Sequence, residues 1–350
     1  MVAFFMCKTY ICDMQLEFSF IIPVFNRPQE IEELLYSFTQ LSTNISFEVV
    51  IIEDGSIQTA KAIIEKYKDQ LNISYFYKEN SGPGDSRNFG MREAKGNYFI
   101  ILDSDILLPS QYLNVIAKSL KDEYVDCFGG PDTAHKSFSK IQKAINFSMT
   151  SFISTGGIRG SENNKGAFQP RSFNMGISKD AFSKTDGFGC IHPGEDPDLS
   201  IRLKKQGFKT KLIPEAFVYH KRRISWRKFY KQVYKFGLAR PILNSWHPST
   251  KKITYWFPSL FSLGFLSAFV LLFFHIKILL WVYISYFVIA FIFAVVKTKN
   301  IKVSMYAMLA ICIQFFGYGY GFIESTFMIQ LLRKKPEDSF PELFFNKRCQ

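Results

Sequence analysis

The sequence predicts an α/β protein: a mostly parallel sheet with helices on both faces, followed by a C-terminal α-helical membrane region. Three observations predict it. Short apolar runs alternate with segments of helical spacing from Phe18 to Asp105, the order of a parallel sheet. Tyr98-Phe99-Ile100-Ile101-Leu102 is apolar throughout, as a strand buried on both faces must be. Beyond residue 253 come apolar runs of bilayer length.

Taken in order, residues 18–28 read as a strand running into a loop, where Pro23 stops the ladder and Asn26 and Pro28 form the turn. Residues 29–40 carry helical spacing at Ile31, Leu34, Leu35 and Phe38. Residues 47–52 form the second buried strand, ending in Glu53-Asp54-Gly55-Ser56; a helix over 60–67 and a strand over 73–77 follow. Ser81-Gly82-Pro83-Gly84 opens a helix through Arg87 to Ala94, and Gly96 closes it before the strand that ends in Asp103-Ser104-Asp105. Alternate residues on an extended backbone point the same way. Asp103 and Asp105, at the strand end where ligands bind in open sheets, therefore suit one hard divalent cation carrying phosphates. Capping of a helix starting near Pro109 is the other reading. No Gly-x-Gly-x-x-Gly follows the first strand, which disfavours a nicotinamide or flavin enzyme.

The formal charge of +13 calls for an acidic partner: nucleic acid, a phosphorylated substrate or an anionic membrane. Cys7, Cys12, Cys127, Cys190, Cys312 and Cys349 are scattered, without a Cys-x-x-Cys pair. Zinc and disulfides are therefore not expected, and the thiols read as reduced. Residues 1–15 lack a basic start and are interrupted by Lys8 and Asp13, unlike a signal peptide. The catalytic part is expected to stay in the cytosol.

Four motifs stand in succession: Ile21-Ile22-Pro23-Val24-Phe25-Asn26, Ile52-Glu53-Asp54-Gly55-Ser56, Gly82-Pro83-Gly84-Asp85-Ser86-Arg87-Asn88, and Leu102-Asp103-Ser104-Asp105. In order and spacing they resemble the motifs of family 2 glycosyltransferases, over residues 18–220. The resemblance implies a GT-A, Rossmann-like fold and inverting transfer from a nucleotide-sugar, UDP-linked by default. It implies that Pro23, Asn26, Glu53 and Asp54 line the nucleoside pocket beside Arg27, and that Arg87 approaches the nucleotide. It also implies that Asp103 and Asp105 serve Mg²⁺ or Mn²⁺, with Asp103 facing the nucleotide as well. A surface ion pair for Arg87 and an ordinary loop carboxylate for Glu53 are the bland alternatives.

Further along, residues 125–130 read as a strand, 136–153 as a helix, and 154–170, with Arg159 and Lys165, as a mobile loop. That loop either closes over phosphates or merely connects. Residues 172–178 resemble the family's acceptor-side strand. It leads to Gly194-Glu195-Asp196 at the mouth of a helix carrying Leu199, Arg202 and Leu203. First-turn acids are common helix-dipole partners. Inverting transfer, however, needs a carboxylate to take the proton of the acceptor hydroxyl. The resemblance favours Asp196 as that base, with Glu195 as its neighbour and runner-up. His220 ends a short strand; it is either structural or, by the resemblance, completes the metal shell.

Between Glu215 and Glu324 no acidic residue occurs. Trp226, Phe229, Tyr230, Val233 and Gly237 share one helical face, and Arg227, Lys228, Lys231 and Lys235 share the other, as on a helix lying in an anionic membrane surface. Packing on the sheet domain is the soluble alternative. Residues 255–275 and 278–296 read as a membrane hairpin followed by Lys297, Lys299 and Lys302. Residues 304–332 form a third apolar stretch, interrupted by Gly317, Gly319 and Gly321, that either crosses or re-enters. The expected divisions are an extension over 1–16, a catalytic domain over 17–222, a basic interfacial helix and linker over 223–252, membrane helices over 253–332 and a loose tail over 333–350.

Gln232-Val233-Tyr234-Lys235-Phe236 echoes only loosely the Gln-x-x-Arg-Trp of processive synthases. Transfer of one sugar to a lipid-linked saccharide is therefore the expected activity, at the cytoplasmic face of the inner membrane, in surface-polysaccharide assembly. A processive synthase is the alternative. A non-enzymatic membrane or nucleic-acid binder is the third reading; nucleic acid is not expected, because the basic residues gather beside apolar spans and no nucleic-acid motif occurs.

Overall fold

The computed structural model describes residues 15–133, 138–155, 168–220 and 225–345. The expectations for the first fourteen residues, for Arg159 and Lys165 in the 154–170 loop, and for Cys349 lie outside the described residues.

The alternation appears as predicted: β1 (Phe18–Val24), α1 (Pro28–Thr39), β2 (Phe47–Asp54), α2 (Lys61–Glu65), β3 (Ile73–Lys78), α3 (Pro83–Glu93) and β4 (Tyr98–Leu102). β1 pairs in parallel with β2 and β4, and β2 with β3. All four strands therefore end at one edge. Pro23 does not stop the ladder; it stands opposite Ile52, and β1 runs on to Val24. It lies beyond the last β1–β4 pair, Ile21↔Ile101, where β1 has one neighbour and a proline is tolerated.

The domain continues through β5 (Ile106–Leu107), α4 (Tyr112–Asp122), β6 (Cys127–Gly129), β7 (Asp132–Thr133), α5 (Lys140–Thr150), α6 (Phe152–Thr155), β8 (Asn174–Ser178), α7 (Lys179–Thr185), α8 (Glu195–Lys205), β9 (Thr210–Leu212) and β10 (Val218–His220). The main sheet runs β3-β2-β1-β4-β8-β6-β9, and a small second sheet runs β5-β10-β7. β8 alone runs antiparallel to its neighbours β4 and β6. Strand residues alternate between two cores, as the pleat requires. Phe20, Ile22, Val49, Ile51, Ile100 and Leu102 pack with α1 and α4. Ile21, Val50, Ile52, Phe99 and Ile101 pack with Met91 and Leu199. The sheet thus has helices on both faces.

After the domain come α9 (Trp226–Trp246), α10 (Phe257–Phe273), α11 (Ile278–Thr298) and α12 (Ile301–Ser325), the last continuing as a π-helical turn, Thr326–Leu331. Ile253–Phe273, Ile278–Thr298 and Ile301–Leu331 are long and apolar enough to cross a membrane. Three expectations are corrected here. First, Gly317, Gly319 and Gly321 do not interrupt α12. They admit neighbours: a Cβ would meet Val233 at Gly317, the Pro258 carbonyl at Gly319 and the Tyr234 carbonyl at Gly321, while one at Gly237 would meet the Tyr318 carbonyl. Second, the apolar face of α9, with Phe229, Val233 and Gly237 buried, is taken by α12. Tyr234 stacks on Tyr320 with ring centres 5.7 Å apart, and Arg227, Lys228 and Lys231 stay exposed. Third, the tail is docked through residue 345: Phe340 and Leu343 are buried among Ile191, Leu238, Ala239, Ile242 and Ile329. Its aromatic and aliphatic side chains fill a groove that no local spacing reveals.

Cys127 and Cys312 are free thiols, as expected. Cys190 corrects the reading of six reduced thiols, because it is disulfide-bonded. Pairing between residues distant in the chain leaves no mark in local spacing.

A Gly237→Val variant adds a branched side chain where the α12 backbone lies, and should cost about 1–3 kcal/mol by overpacking. Thermal unfolding in detergent should show a lowered midpoint; an unchanged midpoint would contradict the close α9–α12 approach.

Candidate active site

The edge where β1, β2 and β4 end gathers most of the residues singled out by sequence. Asn26 adopts a left-handed backbone, φ 52°, which asparagine tolerates better than most residues. Its amide N–H donates to Ser56 Oγ at 2.7 Å, and its Oδ1 accepts from the N–H groups of Ile57 and Gln58 at 2.8 and 3.1 Å. Asn26 therefore staples the loop after β1 to the loop after β2. Glu53 is fully buried; its Oε2 accepts from the Ala60 N–H at 2.8 Å, while Oε1 has no partner among the described residues. Asp54 accepts from Lys78 Nζ at 2.8 Å and from the N–H groups of Ser81 and Gly82 at 2.9 and 3.0 Å. It fixes the entry to α3, and Lys78 is a partner that sequence reasoning missed.

α3 carries Arg87 inward. Its guanidinium is 4% exposed and bridges Asp103 Oδ1 at 2.9 Å and Glu195 Oε1 at 3.2 Å. It lies 5.3 Å from the Phe188 ring centre. Burial opposes its charge, but Asp103, Glu195 and Asp196 outweigh that and raise its pKa. The bland reading of Arg87 as a surface ion pair is thereby excluded.

Gln111 precedes α4, and β5 intervenes after Asp105, so the two aspartates do not cap that helix. Instead β5 pairs with β10 in the register His220↔Ile106. This sets His220 beside the residue preceding Ile106, and its Nε2 lies 3.1 Å from Asp105 Oδ1. His220 also packs on Phe173 with ring centres 5.3 Å apart, and its Nδ1 lies 3.9 Å from Asp132 Oδ2. Arg27 reaches Asp105 Oδ2 at 2.6 Å. Burial pushes the Asp105 carboxyl up, but His220 first and Arg27 second hold it below the usual carboxylate range. Asp103, Asp105 and His220 each offer a ligand atom, and these atoms lie within 4.8 Å of one another. Two carboxylates and an imidazole are a donor set that suits Mn²⁺ better than Mg²⁺, which takes oxygen ligands.

Across Arg87 stands the first turn of α8. Glu195 Oε1 takes His192 Nδ1 at 2.7 Å as well as Arg87, and Oε2 accepts from the Gly194 N–H at 2.9 Å. Burial raises its pKa, but His192 and then Arg87 reverse this and hold it below the usual carboxylate range. Asp196 differs. Its Oδ1 is buried without a hydrogen-bond partner among the described residues. Burial, and then the charge of Glu195, push its pKa up to about 6 against weaker opposition from Arg87, Arg171 and Ser172. Adjacent carboxylates are thus driven apart, the arrangement that separates a fixed anion from a working acid or base. Sequence reasoning missed His192; the available signal was a histidine three residues ahead of Glu195.

Residues 19–185 match the model described as glycosyl transferase family 2. They form a family 2 glycosyltransferase domain. An uncharacterized glycosyltransferase of Rickettsia bellii (strain RML369-C) is 37% identical over 108 residues, covering 30% of this chain and 15% of that protein. The poly(ribitol-phosphate) beta-N-acetylglucosaminyltransferase TarS of Staphylococcus aureus (strain Mu50 / ATCC 700699) is 32% identical over 114 residues, 32% of this chain and 20% of that protein. The chain therefore spans a fifth or less of the length of these two relatives. Among solved structures, the mannosyltransferase PcManGT from Pyrobaculum calidifontis, in complex with GDP-Man and Mn²⁺, matches with a TM-score of 0.52 at 14% identity over 72% of each chain. That likeness shows the shared GT-A fold of the glycosyltransferase domain.

Replacing Arg87 by Ala leaves Asp103 and Glu195 without their shared cation and should destabilise the domain by about 3–5 kcal/mol. Arg87→Lys, which keeps charge but loses the fork, should recover only part. Denaturant or thermal unfolding checks this; an Arg87→Ala protein as stable as the wild type would contradict the bridging role.

Proposed function

We propose that the chain is an inverting glycosyltransferase of the hexosyltransferase class. It moves one sugar from a nucleotide-sugar to a lipid-linked saccharide at the cytoplasmic face of the inner membrane, in surface-polysaccharide assembly. The observation that carries this reading is the pairing, across Arg87, of the Asp103–Asp105–His220 cluster with a half-buried carboxylate, Asp196, whose buried Oδ1 has no hydrogen-bond partner among the described residues. UDP is the nucleotide carried over from the family resemblance. Pro23, Asn26, Arg27, Glu53 and Asp54 surround its nucleoside in this reading, with the free Oε1 of Glu53 available to a donor group.

The mechanism follows from charge. Asp196 takes the proton of the acceptor hydroxyl as its oxygen attacks the anomeric carbon, and the bond to the diphosphate breaks on the opposite side. Glu195, fixed by Arg87 and His192, keeps Asp196 basic. Arg87 and Arg27 face the side on which the diphosphate departs. Asp103, Asp105 and His220 would hold the divalent cation, whose positive charge stabilises the departing diphosphate when bound.

Membrane attachment rests on the three apolar helices. α10 and α11 form the hairpin, with Lys297, Lys299 and Lys302 on the cytoplasmic side. The tail supports one reading of α12: Phe345 N–H donates to the Cys190 carbonyl at 3.2 Å, so the chain after α12 returns to the catalytic domain. Both its ends lie on the side of that domain in this reading, and α12 runs beside α9 rather than across. Two crossings are too few for a polymer channel, which favours single transfer over a processive synthase.

A screen of nucleotide-sugar hydrolysis by the detergent-purified chain, with and without Mn²⁺, tests the reading. Chelation and Asp105→Ala should each abolish turnover, and Asp196→Asn should lower it about 10²–10⁴-fold. An acid with a raised pKa must lose its proton to act as a base. With Asp196 raised to about 6, kcat/KM should therefore rise with pH to a plateau above about 6 and fall about tenfold per unit below it. Full activity under chelation, or a flat profile between pH 5 and 7, contradicts the assignment.

A further inference from the structure

The docked C-terminal segment touches both elements that bring Arg87 and Glu195 together. The loop before α8 presents main-chain groups, and residues 343–345 bind them as an added strand does. Ile191 and Phe344 form an antiparallel bridge. The His192 N–H donates to the Leu343 carbonyl at 2.7 Å, and the Phe345 N–H donates to the Cys190 carbonyl. Leu343 and Phe340, 0% and 4% exposed, anchor the segment in the groove formed with α9 and Ile329. Lys235 Nζ donates to the Glu342 carbonyl at 3.2 Å. The Phe345 ring lies 6.0 Å from the His192 imidazole and covers Gly82, where a Cβ would run into it. Gly82 is the residue from which α3, the helix of Arg87, begins.

His192 connects this strap to the chemistry. Its Nδ1 meets the same Glu195 oxygen that Arg87 meets. With Gly194 on the other oxygen, neither oxygen of Glu195 is left for an acceptor hydroxyl. Asp196, one residue on, keeps a buried Oδ1 without a hydrogen-bond partner among the described residues. Burial works against a charge on His192, but Glu195 outweighs it and raises the imidazole pKa.

We propose that His192 is a positioning residue for the transfer reaction, held in place by the docked segment 340–345, and that it acts by pinning Glu195 so that Asp196 alone meets the acceptor. The proposal rests on the reading of Asp196 as the base. When His192 is released, Glu195 Oε1 loses one of its two side-chain partners, its side chain gains freedom to turn, and the Arg87 bridge loosens. The segment is continuous with the π turn Thr326–Leu331 and α12. Seating of the apolar helices and the geometry of the catalytic turn are therefore mechanically joined.

The test uses the full chain in detergent with the sugar nucleotide found active in the hydrolysis screen. His192→Ala, His192→Asn, Phe345→Ala and Asp196→Asn are compared for kcat, KM and calorimetric binding of UDP with Mn²⁺. Asn offers a hydrogen-bonding amide near the Nδ1 position. His192→Ala and Phe345→Ala should lower kcat about 10–100-fold, the cost of a catalytic group displaced by about 1 Å. KM and UDP binding should stay within about threefold, because the displaced group acts in the transition state and not in donor binding. His192→Asn should recover much of the loss. Hydrogen exchange at the amides of residues 191–192 should quicken in Phe345→Ala. Wild-type kcat in His192→Ala and Phe345→Ala, or a change confined to KM, overturns the proposal while leaving the base assignment intact if Asp196→Asn is inactive. Full turnover by Asp196→Asn overturns both.

Discussion

The site depends on one buried cation. Arg87 stands between Asp103, at the end of the central strand, and Glu195, at the start of α8. These carboxylates come from distant parts of the domain sequence, and Asp105 and Asp196 crowd the same edge. Like charges so close, in a medium of low dielectric, would repel strongly or take up protons. The guanidinium resolves the conflict by its fork geometry, which serves two carboxylates at once. It also creates an asymmetry between neighbours in sequence. Glu195 is bound by Arg87 and His192 and stays ionised, while Asp196 lies beyond that help and is pushed up toward neutral pH. A single buried arginine thus helps hold one carboxylate ionised while its neighbour is raised toward neutral pH.

Much of this was legible in the sequence, and the boundary of what was legible is physical. The sheet order around β1 followed from the alternation of apolar runs and helical spacing. Asp103, Asp105 and Arg87 were found because strand ends and helix starts are fixed by local pattern. His220 needed the resemblance, since its approach to Asp105 depends on the β5–β10 register, a pairing between segments more than 100 residues apart. His192 and Lys78 were missed for the same reason: their roles are defined by partners. Asp54 turned out to be spent on Lys78 and on the entry to α3, and Asn26 on the neighbouring loop. The competition of the protein's own backbone for those side chains was not visible in the sequence.

The largest departures lie beyond residue 225. Glycines in an apolar run read as breaks in a helix because glycine is a weak helix former. In α12 they are instead the places where α9 and Pro258 come close, an advantage that outweighs lost propensity when a whole helix face is buried. The tail read as loose because chain ends commonly are, yet Phe340 and Leu343 find a groove built by α9 and the loop before α8. The loop that leads into α8 is consequently packed against elements from the far end of the chain, so the apolar helices and the glycosyltransferase domain form one mechanical unit.

The central claim is that the ends of β4 and β10 bind a divalent cation beneath the diphosphate, with Asp196 facing it across Arg87. A crystal of the chain grown with UDP and Mn²⁺, with anomalous scattering collected at the manganese edge, tests it most directly. The account expects one strong anomalous peak coordinated by Asp105 and His220, with the diphosphate on it and Asp196 on the open side. A manganese peak and diphosphate lodged away from Asp103, Asp105 and His220 would contradict it.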